Sequence, residues 1–161
     1  MRLSDRLKQD HFTSAAQEAM LSVLVTSAWV GGEVAAALAP FDLTPAQYNV
    51  LRILRGSHPR PLPCSAIGER LLDRTPDVTR LLDRLAKAGF LSRARAAQDR
   101  RVVEVHVTAA GLRVLAEAQP GMDALETRLG GVLTEEEYGT LCALLDRMRV
   151  SETPVPADLC G

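Results

Sequence analysis

The sequence predicts a mainly α-helical chain with a small β-hairpin near its middle. Three observations predict this. Apolar residues recur at i, i+3, i+4 and i+7 through most of the chain, the spacing of one helix face. Hydrophobic residues make up 47% of the sequence but aromatics only 4%, so the core must be built from Leu, Val and Ala. Between Phe90 and Val107 the helical spacing gives way to two short runs, Phe90–Arg95 and Arg101–Val107. The five residues Ala96–Arg100 join them, a length suited to a hairpin.

Residues 1–12 are polar and are expected to form a flexible arm. Ser14-Ala15-Ala16-Gln17 reads as a capping box opening a helix that runs to about Ala39. Met20, Leu21, Leu24, Ala28, Val34 and Leu38 mark its buried side, and Gly31-Gly32 is expected to interrupt it, each Gly costing about 1 kcal/mol against Ala. Pro40-Phe41-Asp42 makes a turn. Thr44-Pro45-Ala46-Gln47 is a second box, with Pro at the first helical position, and its helix carries Tyr48, Leu51, Ile53 and Leu54 to near Gly56. Ser57–Pro63, with three prolines, is a loop with room for one minimal bridge to the hairpin.

A short helix follows over Ser65–Leu72, and then a strongly amphipathic one over Pro76–Ala88. Val78, Leu81, Leu82 and Leu85 share the inner face of the second helix. Pro76, Arg80, Asp83, Arg84 and Lys87 share the outer one. Thr75 is the expected N-cap, Pro76 suits the first turn, and Gly89 ends the helix. After the hairpin, Thr108 caps a helix with Leu112, Leu115 and Ala116 on its inner side. Pro120-Gly121 is expected to bend or break it. Thr134-Glu135-Glu136-Glu137 is a third capping box, and Leu141, Leu144, Leu145 and Met148 form the last stripe. Residues 151–161 read as a flexible tail.

Two short helices followed by an arginine-tipped hairpin make a winged helix-turn-helix. A helix with a polar outer face fits the major groove, and its N-terminal residues reach base edges. The charge distribution agrees. The whole chain carries −1, but Arg60–Arg101 holds ten Lys/Arg against five Asp/Glu, a basic module on an acidic frame.

The motifs here are specific. Thr75-Pro76-Asp77-Val78-Thr79-Arg80-Leu81-Leu82-Asp83-Arg84-Leu85, Gly89-Phe90-Leu91, Asp99-Arg100-Arg101 and Val107-Thr108-Ala109-Ala110-Gly111 resemble the MarR family of bacterial transcription regulators, over about residues 13–150. The resemblance implies a 13–150 domain in which 44–108 bind DNA and 13–39 and 109–150 are dimerisation helices. The apolar stripes of those end helices exceed what one small module needs, which points independently to a homodimer. Two recognition helices about 34 Å apart would read a near-palindromic operator on double-stranded DNA.

Thr75, Pro76, Asp77, Thr79, Arg80, Arg84 and Lys87 are the candidate contacts from the helix, with Asp77 either reading cytosine N4 or orienting an arginine. Arg93, Arg95, Asp99, Arg100 and Arg101 are the candidates from the wing. The family pattern matches Asp99 and Arg101, which are expected to shape the hairpin together. A salt bridge along the helix, Asp77 or Asp83 with Arg80, Arg84 or Lys87, is the competing use of those charges.

The resemblance also implies a small aromatic or anionic effector between the dimer helices and the winged module, for which Trp29, Tyr48 and Arg52 are the candidates. A core or interface role competes for Trp29. The function expected is a ligand-responsive repressor. The alternative is an architectural DNA-binding or protein-interaction module without ligand response.

Enzyme readings find no support. His11, His58 and His106 lack metal-site spacing, and no Ser or Cys sits in a nucleophile motif. No cofactor, metal or catalytic residue is expected. Cys64, Cys142 and Cys160 form no CxxC and no even disulfide set, so free thiols in the cytoplasm are expected, with Cys142 packed in the core. No apolar run is expected to be long enough to span a bilayer.

Overall fold

The described helices of ten or more residues start at side chains that close them. Thr44 Oγ1 accepts from Gln47 N–H at 3.2 Å and Thr44 N–H donates to Gln47 Oε1 at 2.8 Å, a complete capping box at the start of α3 (Pro45–Ser57). Thr134 and Glu137 do the same for α7 (Glu135–Met148). Ser14 completes only half of its box. It accepts from Gln17 N–H at 3.1 Å, but Gln17 Oε1 reaches one residue further back, to Thr13 N–H at 2.7 Å, so both residues before α2 (Ala15–Leu38) are tied to its first turn.

The computed structural model describes residues 2–73, 77–96 and 98–149. The remaining elements are α1 (Leu3–Leu7), a 3-10 turn at Ala39–Phe41, β1 (Leu62–Pro63), α4 (Cys64–Gly68), α5 (Val78–Lys87), β2 (Leu91–Arg95), β3 (Val103–Val107) and α6 (Ala109–Gly130). Within the expected arm, α1 forms and meets α2. The expected tail lies outside the described residues.

The strands make one antiparallel sheet in the order β1-β3-β2, with Leu62 opposite Val105 and Leu91 opposite Val107. β1 is the minimal bridge expected from the proline-rich loop. Both hairpin strands are shorter than expected: Phe90, Arg101 and Val102 fall outside the ladder. α4 also ends early, at Gly68 rather than Leu72.

The core gathers Leu38, Leu51, Leu54, Ile67, Leu82, Leu85, Val105 and Leu115, each at most 1% exposed, around α3, α5 and the first turns of α6. Burying a Leu of this kind stabilises by about 1.5–3 kcal/mol. Val78, Leu81, Leu82 and Leu85 of α5 are all buried, as its stripe predicts.

Several expectations are corrected. Gly31-Gly32 does not interrupt α2, because Gly lowers helix propensity but keeps its backbone donor and acceptor. The unbroken stretch Ala15–Phe41 is long and apolar enough to cross a membrane by length and composition, contrary to the expectation that no run would be. Pro120 lies inside a continuous α6, so Pro120-Gly121 does not break it. The missing donor costs one rung of the ladder, and α6 packs along α2 there: a Cβ on Gly121 would lie 3.7 Å from the Ala37 carbonyl oxygen.

The supposed buried side of α2 is largely open in the protomer, with Met20 50% and Leu24 59% exposed and only Leu38 buried. Leu115 is buried as expected and Leu112 is half-buried, but Ala116 is exposed, and Val114 and Ala118 complete the buried side of α6. Cys142 is exposed rather than packed in a core, as α7 buries no residue within the protomer.

Candidate nucleic-acid interface

α5 presents one face to the core and the other to solvent. Its first residue is Val78 and its cap is Asp77, whose Oδ1 accepts from Arg80 N–H at 3.1 Å. This corrects the expected start at Thr75-Pro76: the chain offers two capping side chains in succession, and the carboxylate closer to the apolar stripe takes the role. Thr75 and Pro76 themselves lie outside the described residues. Asp77 also pairs with Arg80 Nε at 3.3 Å. This is the salt bridge along the helix that competes for those charges, while the Arg80 side chain stays 82% exposed. Arg84 and Lys87 continue the exposed face, and neither pairs with a described acid.

The backbone just after α4 is held from α3. Asn49 Oδ1 accepts from Leu72 N–H at 3.0 Å. Sequence reasoning missed this contact. Its one signal is a weak helix former, Asn, placed just before the apolar and basic run Val50–Arg55.

The wing is anchored at its base. Thr108 N–H donates to the Phe90 carbonyl at 3.0 Å, Thr108 Oγ1 donates to the Gly89 carbonyl at 2.7 Å, and the same hydroxyl accepts from Gly111 N–H at 3.1 Å. Gly111 is required by this approach: a Cβ there would lie 2.2 Å from the Phe90 carbonyl oxygen. Gly89, with φ at 76°, makes the left-handed exit from α5 that brings Phe90 to this point. Two motifs some twenty residues apart thus close on one hydroxyl.

At the tip, Asp99 Oδ1 accepts from Arg101 N–H at 2.9 Å, and Val102 N–H donates to the Asp99 carbonyl. Asp99 and Arg101 do shape the hairpin together, but through the backbone of Arg101, which leaves its guanidinium exposed. Arg95 and Arg100 are exposed as well. Arg93 differs. It is 26% exposed, pairs with Asp83 Oδ1 at 2.9 Å and donates from Nη2 to the Thr79 carbonyl at 3.2 Å. No local pattern signals this clasp, because its partners lie on the preceding helix and meet only after folding.

The effector candidates separate. Arg52 lies over the Tyr48 ring, 5.8 Å from its centroid, and donates to its hydroxyl at 3.2 Å. Trp29, 42% exposed, faces a different hollow of about 620 Å³ that it shares with Arg2, Arg6, Val25 and Val132. Tyr48 and Arg52 do not line it.

A three-stranded wing beside a capped, basic second helix defines the winged helix-turn-helix class. The MarR family model matches residues 43–103. The HTH-type transcriptional repressor MdtR of Bacillus subtilis (strain 168) is 36% identical over 97 residues, 59% of this chain and 60% of that protein. The crystal structure of a MarR transcription factor from Planctomyces limnophilus is 35% identical, with a TM-score of 0.65, and the match covers 84% of this chain and 98% of that one. The S. aureus MepR–DNA complex is 26% identical with a TM-score of 0.75, covering 88% and 99%. The chain belongs to the MarR family of transcription regulators.

Proposed function

We propose that the protein is a sequence-specific repressor that binds a near-palindromic operator as a homodimer and is released by a small effector. The observation that carries DNA binding is the joint exposure of Arg80, Arg84 and Lys87 on α5 and of Arg95, Arg100 and Arg101 on the wing. Arg80 alone among these six pairs with a described acid. A solvated basic surface spanning a groove-sized helix and a projecting hairpin matches duplex DNA in charge and shape. The names of the MdtR repressor and the MepR–DNA complex agree with this reading.

The homodimer is supported by apolar surface that the protomer leaves open. On α2 it includes Met20 and Leu24, and on α7 Leu141, Leu144 and Met148, which are 42–55% exposed. Isologous pairing of these helices buries them and sets the two α5 helices on one side of the assembly. Trp29 and the guanidiniums of Arg2 and Arg6 suit an aromatic anion. Such a ligand acts by its differential affinity for dimers with different α5 spacing.

Selection from a random duplex pool tests the core of the proposal. The expected product is a pair of inverted half-sites about one turn apart, bound about a thousandfold or more above scrambled duplex at a fixed salt concentration. Equal binding to both duplexes refutes the repressor reading and favours an architectural module.

A further inference from the structure

Among the wing arginines, Arg93 turns inward. β2 carries it alongside α5, where its two Nη atoms take the Asp83 carboxylate and the Thr79 carbonyl. Those partners are four residues apart, so they lie on the same side of α5, one turn from each other. The guanidinium therefore holds α5 at two points, which resists both rotation and sliding of the helix against the sheet. Its Nε is buried and has no hydrogen-bond partner, the one such side-chain atom among the described residues. Arg93 is thus mostly covered and committed to the helix, unlike Arg95, Arg100 and Arg101.

We infer that Arg93 is a positioning residue, which sets the angle between the recognition helix and the wing through Asp83 and Thr79 instead of contacting DNA. The inference rests on the DNA-binding reading above. Geometry supplies the need for such a clasp. Each five-residue strand is about 17 Å long at roughly 3.3 Å per residue, so a tilt of about 10° at the base displaces the tip by about 3 Å. A shift of that size takes Arg100 and Arg101 out of hydrogen-bond reach of a phosphate or base while α5 stays seated. On the far edge the sheet is held by β1, with Leu62 opposite Val105; on the α5 side the knot at Thr108 fixes where the hairpin begins, and the Arg93 clasp adds a second point further along β2.

The sign of one substitution separates positioning from direct contact. Asp83 is an acid on the DNA-facing helix. By electrostatics alone, Asp83→Asn should leave affinity for the polyanion unchanged or raise it. Positioning predicts the opposite.

The experiment measures binding of wild type, Asp83→Asn, Arg93→Gln and the double variant to the duplex the wild type selects and to random duplex, across salt concentrations. Far-ultraviolet circular dichroism and a thermal melt check folding. The expected result is at least a fivefold loss of specific affinity for each single variant. The double variant should be no worse than the weaker single one, with smaller losses on random duplex and an unchanged salt slope for Asp83→Asn. Arg93→Lys, which keeps the charge but not the two-point fork, should fall between wild type and Arg93→Gln.

If Arg93→Gln does not fold, Asp83→Asn and Arg93→Lys decide the matter alone. Undiminished binding by Asp83→Asn overturns the inference, and a fall of about 0.9 in the salt slope of Arg93→Gln would identify a phosphate contact in its place. A wild-type chain that selects no duplex removes the repressor reading and this inference with it. Selection by wild type with undiminished Asp83→Asn binding removes the inference alone.

Discussion

Replacing Gly111 with Ala should cost the wing its anchor. The added Cβ would stand 2.2 Å from the Phe90 carbonyl oxygen and 2.9 Å from Val107 Cγ2. An unstrained carbon–oxygen contact needs about 1 Å more than the first of these distances. The carbonyl is not free to move, because it accepts the Thr108 N–H at 3.0 Å, and Phe90 lies next to the buried Leu91 of β2. Overpacking of this kind costs about 1–3 kcal/mol, and loss of the Thr108 hydrogen bond about 1 kcal/mol more. Better helix propensity returns at most about 1 kcal/mol. The net loss is about 2 kcal/mol, or roughly 4–8 °C in Tm for a chain of this size. Thermal melts by circular dichroism at one fixed protein concentration measure it. Gly56→Ala, where the new Cβ meets nothing within 4 Å, is the control and should be neutral or slightly stabilising. If the two variants melt together, the close approach at Gly111 does not support the wing and the reasoning fails.

Four further outcomes are expected. Arg101→Ala should weaken operator binding at least tenfold without lowering Tm, and lower the salt slope by about 0.9; unchanged affinity in a gel-shift titration removes Arg101 from the interface. Asp77→Ala should lose about 1 kcal/mol of stability with the α5 cap, while affinity for random duplex holds or rises because an acid has gone; a drop in that affinity at full folding would mean that Asp77 touches DNA or that Arg80 binds only as Asp77 holds it. Glu137 accepts the Thr134 N–H and hydroxyl, which hold its carboxyl below the ordinary carboxylate range. Its contribution to α7 is therefore complete above the unfolded value of about 4.3 and is lost as pH falls through the depressed folded value; carboxyl-carbon NMR that shows an ordinary or raised value contradicts this. Trp29 fluorescence should change on titration with aromatic carboxylates and lose that response in Arg2→Ala/Arg6→Ala; silence across a broad panel counts against the hollow as the effector site.

What was legible in the sequence was local. Thr44 with Gln47, and Thr134 with Glu137, are three residues apart, so the pattern and the hydrogen bonds coincide. The α5 stripe was equally plain, since i, i+3, i+4 and i+7 specify a face without help from the rest of the fold. Helix-breaking residues did not break their helices: α2 runs through Gly31-Gly32, which keep both backbone groups, and α6 runs through Pro120 where it packs along α2. Exposure of Met20 and Leu24 was hidden for another reason. Periodicity identifies an apolar face but not whether the same chain covers it. At the interface, sequence separated basic from acidic stretches but not outward from inward arginines. Arg93 and Arg95 are two residues apart on one strand, and only the position of Asp83 on the neighbouring helix distinguishes their surroundings.

The anchoring of the hairpin at its base has an evolutionary consequence. Thr108 joins Gly89, Phe90 and Gly111 below the strands, so the stretch beyond β2 and before β3 bears none of that tension. Lengthening a flexible loop twofold costs only about 0.6 kcal/mol. An insertion at the tip therefore forfeits only the turn's own hydrogen bonds, such as Arg101 N–H to Asp99, whereas a single methyl group at position 111 strains the base of the whole wing. A lineage descending from this chain is free to vary how far its wing reaches along a duplex, and so which flanking sequence it tolerates, without remodelling the helix that reads the centre of each half-site.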